Sequence, residues 1–399
     1  MNRPIFLFTT SFPYGHGETF LENEIPILLK EFGEVTLIPI NPIGKPRVCP
    51  DGVTILDVFK DYDYQRKLNF PSLMQLFGVL FFGANRGNWI AGNFKISTSA
   101  ILRTSSRANH LLKILQSIKN AENAIYYSYW LSDWALILSL LSNRLGENVR
   151  FVSRAHGFDL YDNRIGLDHR VNKSFILKKF HGVYAVSNQG TNYLKNAYPR
   201  YGEKISTAYL GTREPNVKLS LTQSDRFTIV SCSSLIPLKR VGLLIEALMR
   251  IKEKVLWVHH GNGQLEDELK VRAKDLPKNV EVRWMGNVDN GRIHDFYSSN
   301  SIDAFVLLSS TEGLPMSIME AHSYGIPVVC TNVGGVSEIV NKTNGVLLDH
   351  DFKTEELVLV INDLIHGKLV FAEEVIVNSW RLNFSLHNYS FFCDTIKSL

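Results

Sequence analysis

The sequence predicts an α/β protein built from two doubly wound domains, each a parallel sheet covered by helices on both faces. Three observations carry this expectation. Runs such as Ile5-Phe6-Leu7-Phe8 and Ala304-Phe305-Val306-Leu307-Leu308 are apolar at every position rather than at alternate ones, as strands buried on both faces are. These runs alternate with helix-length segments, the pattern of a parallel sheet wound by crossover helices. The alternation occurs twice, on either side of a polar stretch at residues 211–226, and 399 residues is long for a single core.

In order along the first half, residues 4–10 read as a strand, 11–17 as a loop, 18–32 as a helix and 35–40 as the next strand. Residues 51–123 are less regular and read as mostly helical. Strands at 124–129 and 150–153 flank a helix at 133–145, and a strand at 183–186 precedes a helix at 189–198. Past the polar stretch, strands are expected at 227–231, 255–259, 280–284, 304–308 and 327–331. Helices are expected between them at 242–251, 265–274, 293–298 and 315–324. In open parallel sheets, ligands bind beyond the carboxyl ends of the strands. Two such domains facing each other would enclose a cleft, and the site is expected there.

Composition excludes several classes. Apolar residues at 45% and charged residues at 21% are the balance of a globular chain, not a disordered one. The most apolar stretches, residues 76–84 and 134–141, are half the length of a membrane span and read as buried helices. The start of the chain runs from a short apolar segment straight into a polar turn, unlike a secretory signal. Cytoplasmic residence is the expectation. Cys49, Cys232, Cys330 and Cys393 are scattered without a paired spacing, so free thiols are expected rather than disulfides or zinc. Residues 1–215 hold 25 Lys and Arg against 17 Asp and Glu, whereas the remainder holds 18 against 22. Basic residues concentrate at Arg144, Arg150, Arg154, Arg164, Arg170, Lys173, Lys178 and Lys179. Such a half suits an anionic partner, either lipid headgroups or a diphosphate-linked lipid, as well as an ordinary solvated face. No nucleic-acid motif accompanies the charge, and no nucleic-acid partner is expected.

The chemistry concentrates in strand-end loops. The sharpest segment is Ser309-Ser310-Thr311-Glu312-Gly313-Leu314-Pro315-Met316-Ser317-Ile318-Met319-Glu320. A buried strand ends before it, Gly313 permits close backbone approach, and Pro315 suits a first helical turn. A helix start offers free N–H groups to an anion, while Glu312 and Glu320 can each accept several hydrogen bonds from a polyol. Ser231-Cys232-Ser233-Ser234-Leu235-Ile236-Pro237-Leu238-Lys239-Arg240 and His259-His260-Gly261-Asn262-Gly263 also follow strands. Neighbouring residues on a strand point to opposite faces, so His259 and His260 are poorly placed to share one metal ion. No Asp-x-Asp stands where it could hold a metal diphosphate, and metal independence is expected.

The Glu312-x7-Glu320 element, with Gly325-Ile326-Pro327-Val328-Val329 and Gly334-Gly335-Val336-Ser337-Glu338-Ile339-Val340, resembles family 4 of the retaining glycosyltransferases. The resemblance is strong from about Phe227 to Leu348 and looser before. It implies the GT-B fold: two Rossmann-like domains, an N-terminal one for the acceptor over residues 1–212 and a donor-binding one over 213–374. A helical segment at 375–399, with Trp380, Phe384, Tyr389, Phe391 and Phe392, would pack back on the first domain. By the same resemblance Glu312 contacts the donor sugar, Glu320 the ribose, and Lys239 the diphosphate. Gly261, Gly263, Gly313, Leu314, Pro315, Gly334 and Gly335 line the donor site. The family's arginine falls at Ser234, a departure for which Arg240, standing where glycine is frequent, would compensate. In Arg154-Ala155-His156-Gly157-Phe158-Asp159, His156 is implied to face the sugar across the cleft, with Asp159 supporting its loop. Gly15 and Gly17 match the glycine-containing first loop near phosphate and acceptor.

The implied activity is transfer of a hexosyl group, with retention, from a nucleoside-diphosphate sugar to a saccharide or polyprenyl-diphosphate-linked acceptor. Bacterial surface polysaccharide synthesis at the inner face of the cytoplasmic membrane is its implied setting, with Glu312, His156 and Lys239 as the catalytic group. Two other readings stay open: a non-catalytic subunit that binds sugar nucleotides, and a sugar-nucleotide epimerase of the same fold. A nicotinamide-dependent dehydrogenase is disfavoured, because no strand–GxGxxG–helix with a following acidic residue is present.

Overall fold

The computed structural model describes residues 3–15, 17–60, 62, 94–161, 167–215 and 225–399. The chain divides into two compact units, residues 1–209 with 389–399 and residues 210–388. The first holds a seven-stranded sheet of β1 (Ile5–Thr9), β2 (Val35–Pro39), β3 (Val53–Ile55), β4 (Ile125–Ser128), β5 (Arg150–Ala155), β6 (Gly182–Ala185) and β7 (Ile205–Thr207). Their order is β3-β2-β1-β4-β5-β6-β7, parallel throughout. The second holds β8 (Phe227–Cys232), β9 (Val255–His260), β10 (Val280–Gly286), β11 (Ala304–Leu307), β12 (Val328–Thr331) and β13 (Gly345–Leu348). Their order is β10-β9-β8-β11-β12-β13, again all parallel. In each sheet the order reverses beside the first strand, between β1 and β4 and between β8 and β11. Loops leaving the two strands of such a pair diverge and open a crevice for ligand.

The continuous apolar runs have the predicted cause. Along β1, Phe6 and Phe8 enter one core with Tyr126, Trp134 and Phe151, while Ile5 and Leu7 enter another with Leu21, Ile25 and Leu37. Both faces of the sheet are therefore dry. The Asp133–Leu141 helix is buried from Trp134 through Leu141, as expected, whereas residues 76–84 lie outside the described residues. Of the irregular segment 51–123, the described part contains β3 and a helix at Phe94–Leu115. Three strands escaped the sequence reading: β3, β7 and β13. All three are sheet edges of three or four residues and only partly buried, so they lack the continuous apolar signature.

The aromatic stretch near the end of the chain splits between the units. The Glu373–Phe384 helix buries Ile376, Trp380 and Phe384 in the second, and Trp380 Nε1 donates to Thr212 Oγ1 at 2.7 Å. The His387–Lys397 helix packs on the first sheet, with the Phe392 ring 5.1 Å from Tyr127 and 5.2 Å from Tyr184. Beneath it lies a wholly buried ion pair. Arg154 donates to Glu24 Oε1 at 3.3 Å, to the Tyr127 hydroxyl at 2.7 Å and to the Ala208 carbonyl at 2.7 Å. Its guanidinium lies 4.1 Å from the Phe392 ring centroid. A charge so deeply placed is tolerable only because these partners satisfy it.

Candidate functional site

In the second unit, the loops after β8, β9, β11 and β12 converge at the carboxyl end of the sheet. Lys239, in the short helical turn Pro237–Lys239 after β8, donates to Glu312 Oε1 at 2.6 Å. The loops are joined again by the Ser310 amide, which donates to the Leu238 carbonyl at 2.8 Å. The Lys239 and Glu312 side chains keep 23% and 10% exposure, enough for a ligand to reach both. An ion pair at this position is an exchangeable one: a diphosphate can take over the ammonium, and sugar hydroxyls can take over the carboxylate.

Glycines set how closely these loops approach. A Cβ on Gly334 would lie 2.1 Å from the Glu312 carbonyl oxygen, and the residue has φ +57°. The Gly335 amide donates to the Gly313 carbonyl at 2.8 Å. Gly261 and Gly263 play the same part between β9 and β8: added Cβ atoms would lie 2.0 Å from the Ser233 carbonyl oxygen and 2.5 Å from that of Leu235. Leu314 is buried, and Pro315 is the extended residue before the Met316–Ser323 helix rather than part of its first turn. Glu320 is buried on that helix and accepts from Asn290 Nδ2 at 2.7 Å. Burial pushes its carboxyl up to about 7, with Asn290 and Arg213 pulling the other way.

Arg240 does something other than expected. Its backbone is left-handed at φ 47°, the conformation that favours glycine. Its guanidinium is engaged with the protein: Nε donates to the Leu308 carbonyl at 2.7 Å, one terminal nitrogen to the His350 carbonyl at 2.9 Å, and the other to the Ser309 carbonyl and Thr331 Oγ1, both at 3.3 Å. Arg240 thus ties its own β8 loop to the loops after β11 and β13 and to the end of β12, instead of reaching outward. Ser234 is exposed and adds no positive charge. His259 meets Ser231, Trp257 and Trp284, whereas His260 lies against Phe296, so the two rings serve opposite faces of the sheet. No group of three or more His, Cys, Asp or Glu among the described residues is placed to hold a metal ion.

In the first unit, His156 follows β5 and is buried against Tyr129 and Trp130, at centroid distances of 4.7 and 4.6 Å. Burial, with Arg154 nearby, holds its imidazole down to about 3, so the ring is neutral at physiological pH. Its Nε2 has no hydrogen-bond partner in the protein. Asp159 accepts from the His156 amide and from the Leu131 amide, both at 2.6 Å, which joins the β5 loop to the β4 loop. Burial lifts its carboxyl to about 7. Two residues that motif reading left without a role hold the first loop. Arg47 donates to the Gly15 carbonyl at 2.8 Å and to the Gly17 carbonyl at 2.7 Å. Glu18 turns its carboxylate onto the amides of residues 10–12.

The described residues of the basic run divide between buried and exposed positions. Arg154 is fully buried, Lys173 is buried with its ammonium on the Leu160 carbonyl at 2.6 Å, and Arg150 donates to three backbone carbonyls. Arg144 and Lys178 remain exposed, while the side chains of Arg164 and Arg170 lie outside the described set. Among the described residues no helix is long and apolar enough to cross a membrane.

Comparison with known proteins finds a family match, partial sequence relatives and structures of the same fold. Residues 213–378 match the family described as Glycosyl transferases group 1. The chain is 30% identical over 158 residues to the O-antigen biosynthesis glycosyltransferase WbnH of Escherichia coli, covering 37% of this chain and 44% of that one. It is 33% identical over 129 residues to the lipopolysaccharide core biosynthesis glycosyltransferase LpsE of Rhizobium meliloti, covering 32% and 36%. Each match therefore spans less than half of the relative. Among solved structures, the lipopolysaccharide outer core galactosyltransferase WaaB in its apo form superposes with a TM-score of 0.71 at 15% identity, over 99% of both chains. Anabaena HepE in complex with UDP and glucose gives 0.70 at 18%, also over 99% of both. The two parallel sheets and these superpositions give the chain the GT-B fold of two Rossmann-like units, and its residues 213–378 match the Glycosyl transferases group 1 family.

Proposed function

We propose that this chain is a retaining glycosyltransferase that moves a hexosyl group from a nucleoside-diphosphate sugar to a saccharide or polyprenyl-diphosphate-linked acceptor in bacterial surface polysaccharide synthesis. The observation that carries the reading is the Lys239–Glu312 pair, a cation and a carboxylate 2.6 Å apart at the carboxyl ends of adjacent strands. UDP in the HepE complex, together with the surface-polysaccharide roles in the names of WbnH and LpsE, supports the donor class and the setting. In this proposal the donor diphosphate displaces Glu312 from Lys239, and Glu312 turns to the sugar hydroxyls while Glu320 accepts from the ribose. Gly261, Gly263, Gly313, Leu314, Pro315, Gly334 and Gly335 shape the loops around it.

The C1–O bond to the diphosphate breaks as the acceptor oxygen bonds to C1 on the same face, and the acceptor proton passes to the departing diphosphate. Negative charge grows on the leaving group, so Lys239 stabilises the transition state more than the ground state. In this proposal His156 takes part as a neutral ring rather than as a general acid, since burial holds its imidazole down to about 3. No metal is invoked. Peripheral contact with an anionic membrane, through basic residues that stay exposed such as Arg144 and Lys178, belongs to the same proposal for a lipid-linked acceptor.

Thermal shift with UDP-, GDP- and ADP-sugars identifies the donor, since a ligand bound only by the folded state raises the melting temperature. With that donor, Glu312→Ala is expected to lose at least about 100-fold in turnover while unfolding cooperatively. Near-normal turnover in this variant sinks the assignment, and wild-type binding without transfer to any acceptor favours the non-catalytic subunit. Isomerised sugar nucleotide formed without acceptor favours the epimerase.

A further inference from the structure

Glu18 is the least expected residue of the first loop. Its backbone is left-handed at φ 54° although it is not a glycine, a conformation that side chains keep only where something enforces it. What enforces it is on its own carboxylate. Oε1 accepts from the Thr10 amide at 3.0 Å and from Trp130 Nε1 at 2.6 Å. Oε2 accepts from the Ser11 and Phe12 amides, both at 2.7 Å, and from Ser11 Oγ at 3.3 Å. Three successive amides turned onto one anion form the concavity by which strand-end loops hold phosphate. It lies just past β1, at the point where the order of the first sheet reverses and where doubly wound sheets take their ligands.

The corresponding loop of the second unit, after β8, carries Lys239 instead. The two units share a strand order, yet one switch point holds its own negative charge and the other a cation. The effect of Glu18 reaches further, because the indole it holds lies 4.6 Å from the His156 ring. Phe20, two residues on, stacks on Tyr129 at 5.2 Å and on His156 at 6.0 Å.

We propose that Glu18 is a positioning residue: its carboxylate occupies the anion place beyond β1, closes that loop, and fixes Trp130 as the wall against which His156 is set. This deepens the transferase reading and rests on it where turnover is the readout.

Two substitutions separate the backbone from the charge. Glu18→Gly suits the left-handed φ and removes the anion; Glu18→Gln keeps the size but places an N–H against donors whichever way the amide turns, because each carboxylate oxygen already accepts at least two hydrogen bonds. Using whichever of UDP-, GDP- or ADP-glucose supports wild-type turnover, both variants are expected to lose about 20-fold or more in kcat with donor KM within about threefold. Formate at roughly 0.1 M refills the emptied place in Glu18→Gly, restoring turnover about fivefold and raising its melting temperature, with no effect on wild type or Glu18→Gln. Turnover of both variants within about twofold of wild type overturns the proposal, as does a formate-insensitive Glu18→Gly. Should wild type turn over none of these donors, it is the transferase reading that fails. The melting temperature of Glu18→Gly then decides alone: a rise with formate supports the positioning role, and no rise overturns it.

Discussion

Gly334→Ala isolates the dependence of the site on backbone approach. A Cβ there would lie 2.1 Å from the Glu312 carbonyl oxygen and 2.8 Å from its carbonyl carbon. Ordinary contact begins near 3.4 Å, so the β11 and β12 loops must part by about 1.3 Å, and neither atom belongs to a side chain that could rotate away. Overpacking of this kind costs about 1–3 kcal/mol, and the left-handed φ of +57° adds about 1 kcal/mol for a residue bearing a Cβ. A loss of about 2–4 kcal/mol is therefore expected in urea unfolding. Because the displaced backbone is that of Glu312 itself, turnover should fall by about 100-fold, the usual consequence of shifting a reacting group by 1 Å. Gly291→Ala is the control: its Cβ meets nothing within 4 Å and it lies in the Asn290–Ser299 helix, so it should be neutral or slightly stabilising. Stability within about 0.5 kcal/mol and turnover within about twofold of wild type for Gly334→Ala would refute the reasoning.

Two further outcomes follow from the same loops. Glu320 has a folded carboxyl near 7 against an ordinary 4.5, so the folded state holds the extra proton between these values; its contribution is full below pH 4.5 and is lost as pH rises through 7. Glu320→Gln should therefore gain stability relative to wild type between about pH 5 and 8 and level off above, read from urea midpoints; a pH-independent difference contradicts the burial argument. Arg240→Ala removes four hydrogen bonds joining the carboxyl ends of four strands and should cost about 3 kcal/mol of stability, while donor affinity measured by calorimetry falls less than in Lys239→Ala. The reverse ranking would return Arg240 to the diphosphate.

The parts of this protein legible in its sequence are those written in local pattern. Strands β1 and β11 could be read because burial on both faces makes them continuously apolar, and the sequence places Glu312 and Lys239 in the loops after β11 and β8, where the structure has them, their roles resting on family resemblance. What escaped depends on long-range geometry. Arg154 looks like a surface cation until Glu24 and Tyr127 are brought to it from elsewhere in the chain. Arg240 resembles a diphosphate ligand until its left-handed backbone turns it onto the carbonyls of residues 308, 309 and 350. Glu18 was visible only as a residue between two glycines and a phenylalanine. The helix expected from residue 18 begins instead at Leu21, because Glu18 takes up the left-handed turn.

The helix at His387–Lys397 also bears on synthesis. Phe392, Cys393 and Ile396 are buried among residues of β1, β2, β4 and β5, so the earliest-made sheet must wait for a segment translated more than 170 residues after its last strand, Ile205–Thr207. On the ribosome the later unit, contiguous over residues 210–388, is translated in full before the earlier sheet receives its covering helix, and that half-covered sheet is the species a chaperone would meet.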